Sequence, residues 1–373
     1  SFIFQSIADN TGNNGIKYQL TKTGTVAYVD DATKLDVVIT MHADDLEAIQ
    51  LLTTTLLSEV GNSFLTVAAD AIDDMAGKKL AAITTGLDLK AITARTAAKL
   101  TAYTLNMATN KLALTFDSSV KASSFTPTSV TLMSEQGSGS SLESVVLSSA
   151  SSTSSSDGRE VVVDLGVADV DGIKSLRNLA ISQGSMFVSI TATAFTDLFS
   201  SAVTAIVPAT ALAVSTNGYT ADNIAPQLVN FEFVLAPGTI SMTFDEVVDM
   251  RTFSPTQISL INAQTRSTNP DQPAVALSGG TADETDFAKV FTITLKVADV
   301  NAVKSNLANL GSTEANTWLI MTANVIKDMA AVDAVNIVDG NAKQAAKVTG
   351  DTEAPVLQAF ELNMNTGKML LTF

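Results

Sequence analysis

The chain has 373 residues and no cysteine, and its 38 acidic side chains against 22 basic ones give a formal charge of −16. That balance argues against a nucleic-acid partner, whose phosphates call for clustered Lys and Arg, and the lack of cysteine removes disulfides and thiolate zinc sites. Hydrophobic residues make up 46% and the mean hydropathy is +0.26, enough for sizeable cores, yet the longest apolar runs fall well short of a bilayer span and no membrane crossing is expected.

Read in chain order, Ser1-Phe2-Ile3-Phe4 opens with strand character and KLDVVIT at 34–40 reads as a further strand, with the acidic pair Asp30-Asp31 at an expected hairpin tip. Ala43-Asp44 then begins a short helical stretch, DDLEAIQLL. Asp44 is expected to be its N-cap, with the spacing to Glu47 of a capping box and Ile49 turned toward the core. The only histidine, His42, sits beside this cap and reads as a boundary residue. SFLTV at 63–67 and Ile72-Asp73-Asp74-Met75 complete the section.

The next phrase, LTAYTLNMATNKLALTF, ends at Phe116 and is repeated as LVNFEFVLAPGTISMTF to Phe244 and LQAFELNMNTGKMLLTF to Phe373, so the spacings are 244 − 116 = 128 and 373 − 244 = 129 residues. A period of that length is a whole domain rather than a solenoid unit. The other phrases keep the same order. Ser1 to Phe4 corresponds to Ser129 to Leu132 and to Gln257 to Leu260, and KLDVVIT to EVVVDLG (160–166) and VFTITLK (290–296). Ala43-Asp44 corresponds to Ala168-Asp169 and Ala298-Asp299. SFLTV recurs as MFVSI with Phe195-Thr196-Asp197-Leu198, and as WLIMT with Ile326-Lys327-Asp328-Met329. Four segments follow: 1–98, a repeat lacking its opening strands; 99–224 and 225–353, two full repeats; and 354–373, the opening strands of a fourth.

Within a repeat, Leu112-Ala113-Leu114-Thr115-Phe116 and Ile240-Ser241-Met242-Thr243-Phe244 alternate as half-buried strands do. Pro237-Gly238 and Thr366-Gly367 mark hairpin turns inside the repeated phrase, and Asp157-Gly158 precedes another strand. About seven strands per period indicate an all-β fold of tandem antiparallel sandwiches, each carrying one short helical segment, and Phe116 and Phe244 are expected in equivalent buried positions beside Leu114 and Met242.

Catalytic constellations are not found: serine is plentiful, but there is no G-x-S-x-G elbow or phosphate-cradling glycine loop, and no enzymatic activity is expected. Asp283-Glu284 reads as a solvated hairpin tip. Trp318 aligns with Phe64 and Phe187 and is expected to be a core aromatic. The tract from Ser134 to Gly158 is low in complexity, loop-like at its Ser-rich ends and, in an extracellular protein, a candidate for O-linked glycan, whereas no N-x-S/T acceptor is present.

The LTF strand phrase, the later Asp-Met/Leu element and the junction Asp351-Thr352-Glu353-Ala354-Pro355 resemble the bacterial-type Ig-like repeats of surface-layer proteins and giant extracellular adhesins. In that family an Asp-Thr-x-Ala-Pro linker joins successive sandwiches and a D-x-x-G-N phrase closes each one. Here Asp74-Met75-Ala76-Gly77 is followed by Lys78 rather than Asn, and the copies at Asp197 and Asp328 lack the Gly. The resemblance implies Ig-like sandwiches and an extracellular or cell-surface location. It also implies Ca²⁺ at the domain junctions, where Asp222, Asn223, Asp351 and Glu353 are the candidate oxygen ligands. A polar, Pro-terminated turn is the competing reading of these residues. At the first junction Ala94, Arg95 and Ala98 occupy the corresponding places, so not every joint can be built alike.

These features point to a structural component of an extracellular filament or surface appendage. The alternative is an adhesin stalk or binding module that recognises a glycan or cell-surface ligand. The expected partner is another stretch of the same array: either the sequence is a window from a longer chain of repeats, or copies associate head to tail by donating terminal strands.

Overall fold

Alternation of apolar and polar residues along short, turn-bounded segments gives an antiparallel all-β fold, seen in a computed structural model that describes every residue except 10–13, 23, 29–35, 53–55, 58–59, 92–95, 138, 140–141, 267–271, 307, 353 and 373. Asp30, Asp31, Ala94, Arg95, Glu353 and Phe373 therefore lie outside the described residues. The chain divides into two units, 1–222 and 223–373.

In the first unit, residues 98–222 form a sandwich of two sheets. One has the order Ser152–Thr153, Gly158–Asp164, Lys111–Lys121, Leu100–Asn106, Tyr219–Thr220, with Thr196–Asp197 added to the end of the long strand Lys111–Lys121. The other runs Ser144–Val146, Val130–Met133, Phe187–Ile190, Leu212–Ala213. The second unit repeats this topology strand for strand: Gly280–Ala282, Phe287–Leu295, Thr239–Asp249, Leu228–Val234, Lys347–Thr349 with Lys327–Asp328, against Ala274–Ala276, Ile258–Ile261, Trp318–Met321, Lys343–Gln344. Each sandwich thus has ten strands rather than about seven. The additional ones are only two or three residues long, too short for any alternation to register in the sequence.

The long hairpin explains the repeated phrase. Leu100–Asn106 and Leu228–Val234 share one burial pattern and one bulge, after Leu100 and Leu228 respectively. Their turns place Asn110, Gly238 and Gly367 at the same left-handed position, with φ of 55°, 68° and 63°. At Gly238 a Cβ would also come within 2.4 Å of Val300 Cγ2, so glycine is required twice over. Phe116 and Phe244 are buried on the same face as Leu114 and Met242, as expected, in two separate cores. Phe116 meets Phe195 edge-on and Phe244 stacks on Phe291.

The first 90 residues build one complete sheet of the same design: Lys17–Gln19, Phe2–Gln5, Phe64–Val67, Ile83–Asp88 match the four-stranded sheets of the other repeats. The hairpin Thr25–Tyr28 with Val37–Thr40 matches Ser152–Thr153 with Gly158–Asp164. Helix α1 (Ala43–Leu51) touches the following sandwich, where Glu47 Oε1 accepts from Arg159 N–H at 3.1 Å and Gln50 Oε1 from Ser119 N–H at 3.4 Å. In the second unit, Ala359–Asn363 and Lys368–Thr372 form a two-stranded hairpin equivalent to 100–116 and 228–244.

Candidate functional site

The junction aspartates occupy equivalent places, since 351 − 222 = 129, and each is engaged within its own unit by the last-turn lysine of a helix. Helix α2 (Val167–Lys174) and helix α3 (Val297–Lys304) end on these lysines. Asp222 Oδ2 lies 2.6 Å from Lys174 Nζ, with both side chains almost fully buried, and Asp351 Oδ2 lies 2.6 Å from Lys304 Nζ in a more open setting. Asn223 is exposed. Calcium takes six to eight oxygen ligands, so an ion at either junction would share its aspartate with this ammonium. What this geometry supports is a charge-paired tether between helix end and junction. In the second unit the buried carboxylates of Glu246 and Asp328 approach within 4.8 Å of each other, a pairing the sequence pattern did not single out.

A second set of aspartates recurs in all three repeats. Asp45, Asp169 and Asp299 are buried at the third residue of α1, α2 and α3, and their carboxylates reach across to the loop that leaves the smaller sheet. Asp45 accepts from Tyr18 Oη at 2.7 Å, from Thr21 Oγ1 at 2.8 Å and from the N–H of Thr21 and Lys22. Asp169 accepts from Ser148 N–H at 2.8 Å and from Ser151 Oγ, and Asp299 from Ser278 N–H at 2.9 Å. Burial alone would raise the Asp45 carboxyl, but the bonds from Tyr18, Lys22 and Thr21 outweigh it and hold the group well below the usual carboxylate range.

This corrects the expected caps. The N-cap of α1 is His42, whose Nδ1 accepts from Asp44 N–H at 3.2 Å, while Asp44 is exposed and Glu47 turns to Arg159 instead of closing a capping box. Gly166 and Lys296 occupy the N-cap positions of α2 and α3. The register slipped by one because Ala-Asp in the first repeat is followed by a second aspartate, and it is Asp45 that matches Asp169 and Asp299. Ile49, Ile173 and Val303 do point into their cores.

The Asp-Met/Leu element is a tight turn. Asp74 Oδ1 accepts from Ala76 and Lys78 N–H, Asp197 Oδ1 from Phe199 and Ser201 N–H, and Asp328 Oδ1 from Val332 N–H. Its fourth residue is left-handed in every copy: Gly77, Ser200 and Ala331, with φ of 75°, 65° and 68°. The glycine missing from the later copies is replaced by strain, not by another conformation.

The terminal strands of each full sandwich lie side by side and parallel. Tyr219–Thr220 pairs with Leu100–Asn106, where Leu105 N–H donates to Gly218 O at 2.8 Å and Met107 N–H to Thr220 O at 2.9 Å. Lys347–Thr349 pairs with Leu228–Val234, where Ala346 N–H donates to Phe231 O at 2.8 Å and Leu235 N–H to Thr349 O at 2.9 Å.

Trp318 opens its strand in the place of Phe64 and Phe187, as aligned, but all three are half-buried rather than central to a core. Its indole N–H donates to Ala315 O. An open trough of about 320 Å³ on the smaller sheet of the second unit is lined by Ser259, Ile320, Thr322 and Val338 among others, with no aromatic side chain on which a sugar could stack. Asp283 and Glu284 are exposed at a hairpin tip. No helix among the described residues is long and apolar enough to cross a membrane. No protein-family model matches the chain, and no curated protein matches it.

Proposed function

We propose that the chain is a non-enzymatic structural component of an extracellular filament or surface appendage, built from tandem Ig-like sandwiches that carry tension from one repeat to the next. The observation that carries this reading is the parallel pairing of the first and last strands in each full sandwich. Pulling the entering end of Leu100–Asn106 against the leaving end of Tyr219–Thr220 slides two parallel strands past each other. The hydrogen bonds between them are then loaded together in shear, whereas antiparallel terminal strands would unzip one bond at a time. The buried Lys174–Asp222 pair lies on the same exit path and fastens it to α2.

Two measurements test the proposal. Stretching the chain in a force spectrometer is expected to give two cooperative ruptures of similar height, each releasing about 40 nm for a repeat of this length at roughly 3.3–3.6 Å per residue. Antibody raised against the chain is expected to decorate projections on intact, unpermeabilised source cells. Gradual extension without peaks would remove the load-bearing role, and labelling only after permeabilisation would remove the extracellular one.

A further inference from the structure

Just before its last strand, Tyr219–Thr220, the second repeat turns on Asn217-Gly218, and the fold itself calls for both residues. Asn217 has a φ of 59°, a left-handed conformation that asparagine accepts more readily than most side chains. A Cβ on Gly218 would come within 2.8 Å of Ser215 O and 3.1 Å of Thr104 Cγ2, so only glycine fits. The same dipeptide is chemically reactive. With no side chain on Gly218 to hinder it, the main-chain nitrogen of that residue is a nucleophile within reach of Asn217 Cγ whenever the backbone is free to rotate.

In the closed sandwich this nitrogen is occupied. Gly218 N–H donates to Ser215 O at 2.7 Å and Gly218 O accepts from Leu105 N–H at 2.8 Å, which pins the glycine at both its nitrogen and its carbonyl. Ser215 N–H donates to Tyr103 O at 3.0 Å and Asn217 N–H to Gln183 Oε1 at 3.1 Å, anchoring the turn on either side. The third repeat has Ala346-Lys347 in these places, since 346 − 217 = 129, and so lacks the amide that reacts.

We propose that Asn217 is a self-modification site, silenced while the terminal strand is paired and released when that strand leaves. The inference rests on the reading of the parallel terminal strands as the load-bearing contact, and it gives that contact a time limit. The reaction needs only water. The Gly218 nitrogen loses its proton to solvent and bonds to Asn217 Cγ, the Cγ–Nδ2 bond breaks, and Nδ2 takes up a proton and departs as ammonia, leaving a cyclic imide. Water then opens the ring. Addition at Cγ gives an aspartate, whereas addition at the main-chain carbonyl gives an isoaspartyl link, in which the chain runs through the former side chain and is longer by a carbon. That carbon falls immediately before Tyr219–Thr220, whose pairing requires Gly218 O and Thr220 O to meet the N–H groups of Leu105 and Met107. A second sandwich held open long enough therefore loses the register with which it would close.

The test follows the full chain at neutral pH, in buffer and in unfolding guanidinium chloride, with digestion by an Asp-specific protease. The fragment 197–221 contains no other asparagine, which separates this site from the chain's other Asn-Gly, at 14–15. Isoaspartate leaves the fragment whole with the mass change of NH to O, while aspartate adds a cut. Conversion of Asn217 is expected to be at least about tenfold slower in the folded chain, the factor given by each 1.4 kcal/mol of opening free energy. Gln183→Ala removes an exposed anchor of the turn and nothing from the core, and is expected to raise the folded rate several-fold while leaving the denatured rate unchanged. On return to buffer, the amides of Leu105 and Met107 are expected to stay unprotected from hydrogen exchange in isoaspartyl chains, while Leu235 of the third repeat, which donates to Thr349 O, recovers. Asn217→Gly accepts the left-handed φ, has no amide to react, and should recover at all three positions. Equal rates in buffer and denaturant, or a folded Gln183→Ala chain no faster than the parent, would overturn the silencing. Protection regained at Leu105 in isoaspartyl chains would overturn the loss of closure. None of these readings applies force, so they can fail while the rupture peaks stand, and the peaks can fail while they hold.

Discussion

The buried aspartate of each helix makes a graded prediction because its partners differ between repeats. Among the described residues, Asp169→Ala removes the acceptor of two bonds, leaving Ser148 N–H and Ser151 Oγ–H without their carboxylate, whereas Asp299→Ala strips Ser278 N–H alone. A hydrogen bond to a charged group contributes about 1.5–3 kcal/mol, and an acidic residue in the first helical turn adds about 0.3–1 kcal/mol. The expected cost is therefore about 2–4 kcal/mol for Asp299→Ala and about 3–7 kcal/mol for Asp169→Ala. Ser151 Oγ also accepts from Gly166 N–H, so losing its anchor loosens the helix start as well. Native-state hydrogen exchange, read peptide by peptide, reports each sandwich separately, and Trp318 fluorescence in a urea titration gives a second reading of the third repeat alone. Asp→Asn at each site keeps the shape and isolates the charge. Equal costs at the two positions, or costs below about 0.5 kcal/mol, would mean that water replaces the latch and that the reasoning from counted bonds is wrong.

Four further outcomes are expected. Tyr103 has a fully buried hydroxyl with no hydrogen-bond partner among the described residues, at a position that is phenylalanine in the third repeat, so Tyr103→Phe should stabilise the second sandwich by about 1–2 kcal/mol in urea titration; destabilisation would reveal a hidden partner. Ala331→Gly and Ser200→Gly should each raise the melting temperature of their sandwich, by up to about 1 kcal/mol of stability, because a left-handed L-residue costs about 1–2 kcal/mol and glycine returns part of that as entropy; Gly77→Ala should do the reverse. The depressed Asp45 carboxyl contributes stability that is present above the ordinary carboxylate value of about 4 and is lost as pH falls below it, so exchange protection across Lys17–Lys22 should drop in acid, and Asp45→Asn should flatten that dependence. Melting in Ca²⁺ and in chelator should coincide, because Lys174 and Lys304 hold Asp222 and Asp351; a rise of several degrees with Ca²⁺ would show the ion displacing lysine.

Strand class, the repeat and the core face were legible because side-chain alternation and domain-length recurrence are both written locally in the chain. Phe116 and Phe244 could be placed inside before any coordinates, since a strand of period two leaves one choice of face once Leu114 and Met242 are assigned. The cap of α1 lies two residues before the expected Asp44, and the repeated aspartate one residue after it, because Asp44 and Asp45 are chemically alike and only the loop carrying Thr21 and Lys22 tells them apart. The lysine partners of Asp222 and Asp351 lie 222 − 174 = 48 and 351 − 304 = 47 residues away, a separation that no motif encodes but that the repeat preserves. Comparing the two copies would have found the pairing. The left-handed residues Ser200 and Ala331 were invisible as such, because a turn demands φ > 0 from whatever residue stands there and only Gly77 announces it.

The pattern of likeness between repeats bears on the choice between the proposed mechanical role and a recognition role. A binding surface presented many times would keep its exposed chemistry from copy to copy. Here the exposed positions diverge: Glu160 stands where the third repeat has Val290, and the N-caps of α1 and α3 are His42 and Lys296. The buried and bonded positions agree instead. The helix aspartate, the turn aspartate with its left-handed fourth residue, the lysine–aspartate tether and the parallel terminal strands recur in the two full sandwiches. Each of these ties one segment of the chain to another without presenting anything to a ligand. Tension transmitted through a repeat is resisted by such ties and is indifferent to the residues between them, which is why surfaces free to drift beside fixed internal fastenings favour a chain that bears load over one that reads a target.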